Sequence, residues 1–212
     1  MKIFIKTLIL IFCIPLFGIS QSDIAKEEIT NIIKKIESTP PYSCDISIKV
    51  DVKFIKIKER TGKMFYNSPE DVKYNIKGFA FLPKKEIGAT ISDLFKKDFI
   101  ALELNRENNL KVIKIIPMDI ESEIVTGQFW INENKLIEKM TFITKDKGSF
   151  DAEFIYDQIQ HDLPSKIMMR FNVKNQEMPA ILTGDLESYN QSTEEDEVSK
   201  GSITISYFNH KF

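Results

Sequence analysis

The side chains able to do polar chemistry are few and scattered. The chain of 212 residues holds two histidines, His161 and His210, and two cysteines, Cys13 and Cys44. Zinc needs three or four such ligands close together, so this set predicts no zinc site. Asp119, Glu121 and Glu123 alternate and would share one face of a strand. That spacing could offer oxygens to calcium, but a solvated strand or loop shows the same alternation. The sequence has no Gly-rich phosphate loop, no G-x-S-x-G turn and no paired Cys–His signature. Its carboxylates are too dispersed to nominate a glycosidase pair. Lys and Arg number 29 against 31 Asp and Glu, and the pI is about 5.8, which argues against a nucleic-acid surface. These observations predict no enzyme, no metal and no cofactor.

What remains is the chemistry of excluding water, and its signal is strong. Between Thr126 and Val173 three polar turns separate four strand-like runs. The turns are Asn132-Glu133-Asn134, Lys145-Asp146-Lys147-Gly148 and the segment around Asp157. Asn, Asp and Gly reach turn conformations at low cost, so the runs form an antiparallel meander. Leu136, Met140 and Phe142 fall in one phase, as do Phe150, Ala152, Phe154 and Tyr156, and then Ile167, Met169, Phe171 and Val173. Their neighbours are mostly polar. Alternate side chains of a strand point to opposite faces, so the sheet has one apolar side. Leaving about eight such side chains in water would forfeit roughly 12 to 24 kcal/mol, more than the roughly 5 to 15 kcal/mol that holds a domain together. Something must cover that face.

The cover is encoded upstream. Residues 1–20 read as a cleaved signal peptide: Lys2 and Lys6, an apolar run from Leu8 to Phe17, then Gly18 and Ser20 before Gln21. Cys13 follows Phe12 and precedes more apolar residues, so it does not fit a lipid-modified cysteine. The remaining 21–212 read as one domain, with 27 basic against 31 acidic residues, a formal charge of −4. Only Cys44 is left, which permits no internal disulfide, and its alternating context predicts a small buried hydrophobe. Ala25, Ile29, Ile32, Ile33 and Ile36 form one stripe of a helix over about 23–38, capped by Ser22 and stopped by Pro40-Pro41.

A long alternation follows through Cys44, Ile46, Ile48, Val50, Val52 and Phe54, and its phase slips at Ile55 and Ile57. A bulge near Phe54-Ile55 in one long, coiling strand is the economical reading. Met64 to Tyr66 and Val72 to Leu82 are further strands, Thr90 to Phe95 a short helix, and Phe99–Leu104 with Leu110–Ile116 a hairpin. Met178 to Tyr189 reads as a weaker strand, Gln191 to Lys200 as an acidic loop, and Ser202 to Phe208 as the last strand. Trp130 alternates away from Phe129 and Ile131, as a rim residue or a ligand contact. Met64, Met140, Met168 and Met169 suit either plain core or an adaptable cavity lining.

Two stretches carry a family resemblance. The first runs Gly62-Lys63-Met64-Phe65-Tyr66-Asn67-Ser68-Pro69-Glu70-Asp71-Val72-Lys73. The second runs Phe129-Trp130-Ile131-Asn132, Leu136 to Met140, Gly148, and Leu163-Pro164-Ser165-Lys166-Ile167 with Phe171. The chain resembles the LolA-like periplasmic carriers of outer-membrane lipoproteins over nearly all of residues 21–212. The resemblance implies a mainly β (α+β) fold: a curved, unclosed antiparallel half-barrel with the N-terminal amphipathic helix and short helices over its concave apolar face. It implies a monomeric periplasmic carrier of lipoprotein acyl chains or another lipid, with Lol-type partners at the inner and outer membranes. Lys73 stands where the carriers usually have an Arg that holds the lid shut; Lys lacks the planar fork. The acidic loop Thr193-Glu194-Glu195-Asp196-Glu197 is not a carrier feature. A non-catalytic sensor or structural module that binds an envelope protein is the alternative on the same fold. Parity assigns the expected lining to Ile48, Val50, Phe54, Met140, Phe142, Phe150, Phe154, Met169 and Phe171, with Ile29, Ile33 and Ile36 nearby.

Overall fold

The computed structural model describes residues 21–52, 55–56, 58–76, 95–146, 148–157, 160–173 and 199–212. Residues 1–20 (read as a signal peptide), Phe54, the loop expected at 193–197, the strand expected at Met178–Tyr189 and all but the last residue of the helix expected at Thr90–Phe95 lie outside them. Helix α1 spans Gln21–Glu37, close to its expected bounds, with Asp23 in the first turn and Lys34 and Lys35 in the last. Those charges complement the helix dipole.

The strands are β1 (Tyr42–Val52), β2 (Ile55–Lys56), β3 (Arg60–Ser68), β4 (Asp71–Asn75), β5 (Phe99–Glu107) and β6 (Leu110–Pro117). They continue with β7 (Ile124–Ile131), β8 (Ile137–Thr144), β9 (Ser149–Ile155), β10 (Lys166–Val173) and β11 (Ser199–Lys211). Their order in the sheet is β4-β3-β1-β11-β10-β9-β8-β7-β6-β5, and the pairings are antiparallel. Among the described residues the two end strands do not pair, so the sheet is unclosed. Laid flat, ten strands at about 4.8 Å spacing would be roughly 43 Å wide, far beyond the roughly 10–12 Å breadth of one helix. Yet one buried cluster joins Val72 of β4, Phe99 of β5 and Ala25, Ile29, Ile32 and Ile33 of α1. Along that cluster α1 packs on β5, at one end of the sheet.

Turn chemistry fixes the register. Asn108 and Asn109 both take positive φ between β5 and β6 (49° and 66°), the backbone of a tight hairpin turn. Asn132 Oδ1 accepts the N–H groups of Asn134 and Leu136, closing the turn before β8.

Two local expectations are corrected. The chain after Val52 does not run on as a bulged strand. Residues 55–56 fold back on the end of β1, with Val52 opposite Ile55 and Asp51 opposite Lys56. This return gives the end of β1 a partner on the edge opposite β11, beyond Ile48, where its pairing with β3 ends among the described residues. Second, β8 starts at Ile137, and half-buried Leu136 belongs to the turn. Ile137 and Met140 are both buried although three residues apart. A register shift against Trp130 and Ile131 makes this possible.

Candidate functional site

The sheet's inner face is built in rows. Strand pairing sets Gly127, Phe142, Phe150, Phe171 and Gly201 side by side across five strands. The next row reads Phe129, Met140, Ala152, Met169, Ile203 and Val50, and a third joins Phe154, Ile167, Ile205 and Ile48. Ile48, Met140, Phe142, Phe150, Met169 and Phe171 are buried; Val50 and Phe154 are partly buried and packed on the same core. Phe142 stacks on Phe150 with ring centres 5.0 Å apart and meets Phe129 edge-on at 5.5 Å. Gly127 makes room for this ring: a Cβ there would stand 2.6 Å from Phe142 Cε1.

Helix α1 covers the rows and is held by charges along its length. Lys26 pairs with Asp98 beside β5. Lys35 pairs with Asp162 at 2.6 Å. Between them Glu28, with a side chain only 12% exposed, takes Lys111 of β6 at 2.8 Å and Lys135 of the β7–β8 turn. Burial pushes the Glu28 carboxyl up, but the hydrogen bonds and charges of Lys111 and Lys135 outweigh it and hold the group below its ordinary 4.5. A lowered carboxylate pKa contributes stability that is complete above about pH 4.5 and fades as pH falls through the folded value. Glu28→Gln is therefore expected to cost about 1–3 kcal/mol at pH 7. The deficit should shrink by pH 3.5 in urea titrations at both pH values. A deficit equal at both would show that the charge is not its source.

Sequence reasoning did not anticipate the hollow at the other end of α1. An apolar cavity of about 80 Å³ lies between Ile32 and Ile36 of the helix and Leu136, Ile137, Phe154, Leu163 and Ile167. Of the expected lining residues that are described, only Phe154 reaches it. Tyr156 also borders it, and its hydroxyl donates to the Ile137 carbonyl at 2.9 Å. Burial pushes the Tyr156 phenol well above its usual range, so it stays neutral. Lys35, Lys135, His161 and Asp162 complete the rim. They come from three loops and helix ends, and no local spacing marks them.

Lys73 sits exposed on edge strand β4, its ammonium 3.8 Å from Asp71 of the same strand. Trp130 faces the outer side, where its Nε1 donates to Glu107 at 2.8 Å and the Lys139 ammonium lies 4.6 Å from its ring centre. Asp119 pairs with Lys97 and accepts the Glu121 N–H at 3.0 Å, so this carboxylate caps a turn. The two histidines, distant in sequence, meet at Phe212, with ring centres 4.6 Å (His161) and 6.5 Å (His210) away. Burial lowers the His210 pKa. Among the described residues no three His, Cys, Asp or Glu side chains gather as metal ligands, and no helix is long and apolar enough to cross a membrane.

An unclosed antiparallel sheet wrapped on one N-terminal helix has counterparts among solved structures. A LolA superfamily protein from Nitrosomonas europaea matches with a TM-score of 0.51 at 12% identity, covering 86% of this chain and 92% of that one. The fold is LolA-like. An outer membrane lipoprotein-sorting protein domain from Vibrio parahaemolyticus matches equally well, at 0.51 and 12%, covering 90% and 93%. A DUF1329 family protein from Desulfovibrio piger reaches 0.53 at 8% identity, over 91% and 93%. No protein-family model and no curated protein matches the chain. At these identities the LolA-like likeness concerns the path of the backbone, and the chemistry must be argued from this chain's own side chains.

Proposed function

We propose that this protein is a periplasmic carrier or chaperone that shelters acyl chains of lipoproteins, or of another lipid, on their way to the outer membrane. The supporting observation is the apolar cleft beside α1, which is continuous with the buried rows of the sheet through Phe154 and Ile167. An acyl chain gains about 0.8 kcal/mol per buried methylene, so such a surface needs no catalytic group to bind one. The cleft is well below the roughly 300–1,000 Å³ of usual ligand sites. Loading therefore requires the cleft to widen. The Lys35–Asp162 and Lys135–Glu28 ion pairs beside it are what must loosen.

The test is native mass spectrometry on protein purified from an envelope fraction, followed by titration of stripped protein with a triacylated lipopeptide. Co-purifying lipid and one-to-one uptake are expected. The filled interior favours one competing reading, a non-catalytic module that binds an envelope protein partner. Protein that arrives lipid-free, ignores the lipopeptide and brings down one stoichiometric protein would establish that reading instead.

A further inference from the structure

The cleft is apolar inside and basic at its mouth. Building on the carrier reading, we propose that it receives a single aliphatic chain with a carboxylate head, a fatty acid. The chain end lies between Ile36 and Phe154 and the head on Lys35 and Lys135. Size argues for one chain. The cavity holds about 80 Å³, and a cavity of about 150 Å³ holds one benzene, so there is room for the end of one chain and not for several.

Charge argues for the head. The lining includes two lysines, Lys35 and Lys135, against one acid, Asp162. Ile32, Lys35 and Lys135 also line an open groove of about 510 Å³ along α1, which extends to Glu27 and Glu28. The two lysines therefore border both the enclosed and the open hollow. Both are already ion-paired, and both can exchange partner at low cost. If Lys135 turns to the guest, Glu28 keeps Lys111 at 2.8 Å. If Lys35 turns, Asp162, whose side chain is half exposed, is left to water. Neither exchange strands a buried charge. The Tyr156 hydroxyl stays with the Ile137 carbonyl and does not compete for the head.

The test is calorimetric titration of stripped full-length protein with four ligands: laurate, dodecanol, dodecyltrimethylammonium and a triacylated lipopeptide. Laurate is expected to bind one per protein, at least tenfold tighter than dodecanol, with the ammonium weakest. Lys35→Gln/Lys135→Gln, checked for native circular dichroism, should lose about tenfold for laurate and nothing for dodecanol. Equal affinity for laurate and dodecanol, an indifferent double variant, or two laurates per protein would each overturn the proposal. Lipopeptide binding without laurate binding overturns it while leaving the carrier reading standing. Binding of neither removes both.

Discussion

Phe142→Ala is expected to cost about 3–5 kcal/mol, the range for emptying a buried aromatic site. The side chain has no exposed surface. It touches Phe150 across one strand boundary and Phe129 across the other, and it occupies the room left by Gly127. Removing it strips contacts from both neighbours at once, and the paired strands on either side keep the site from collapsing. Against a total of roughly 5–15 kcal/mol, most of the protein's margin would go. Urea denaturation gives the measurement. Phe142→Leu, which retains most of the volume, should lose much less and remain folded, so that acyl uptake can be compared in a native protein. A Phe142→Ala midpoint within experimental error of wild type would mean that the three-phenylalanine row is not a structural core.

Ile29→Asp should detach the helix. Ile29 is wholly buried at the centre of the α1 stripe, and a carboxylate there has no basic partner within its apolar cluster. An uncompensated buried charge costs about 3–5 kcal/mol, before the lost packing is counted. Among the described residues no backbone hydrogen bond joins α1 to the sheet, so undocking α1 relieves that cost while strand pairing persists. Hydrogen exchange should then report open amides across 22–37 and protected ones in β8–β10. Burial raises a carboxyl pKa, so the deficit is smallest below about pH 4, where the new group is neutral, and grows as pH rises. Protection of the α1 amides equal to wild type at pH 7 would refute the idea that this stripe is the sheet's cover.

Both predictions trace to residues whose role was legible early. The alternation of Phe150, Ala152 and Phe154 against Asp151 and Glu153 states which side of β9 is apolar, because a strand's period is two. The turn residues Asn108-Asn109 and Gly148 state where strands reverse. Where a second partner intervenes, local reading fails. Residues 55–56 fold back onto the edge of β1 that β3 covers farther along, a pairing that alternation alone does not encode. The register shift that brings Ile137 inward depends on how β8 meets β7.

Alternation and helical spacing were enough for a one-sided antiparallel sheet and an amphipathic helix to cover it. Periodicity is a local property, so it survives without coordinates. Only the folded chain set the order in which the strands pair, with β1 between β3 and β11. It also decided that Glu28 binds lysines 83 and 107 residues away. Last, it placed Lys35, Lys135 and His161 at the mouth of one apolar cleft. Those are contacts between segments far apart in the chain, and the free energy that selects them comes from joint burial, which no single stretch of sequence contains.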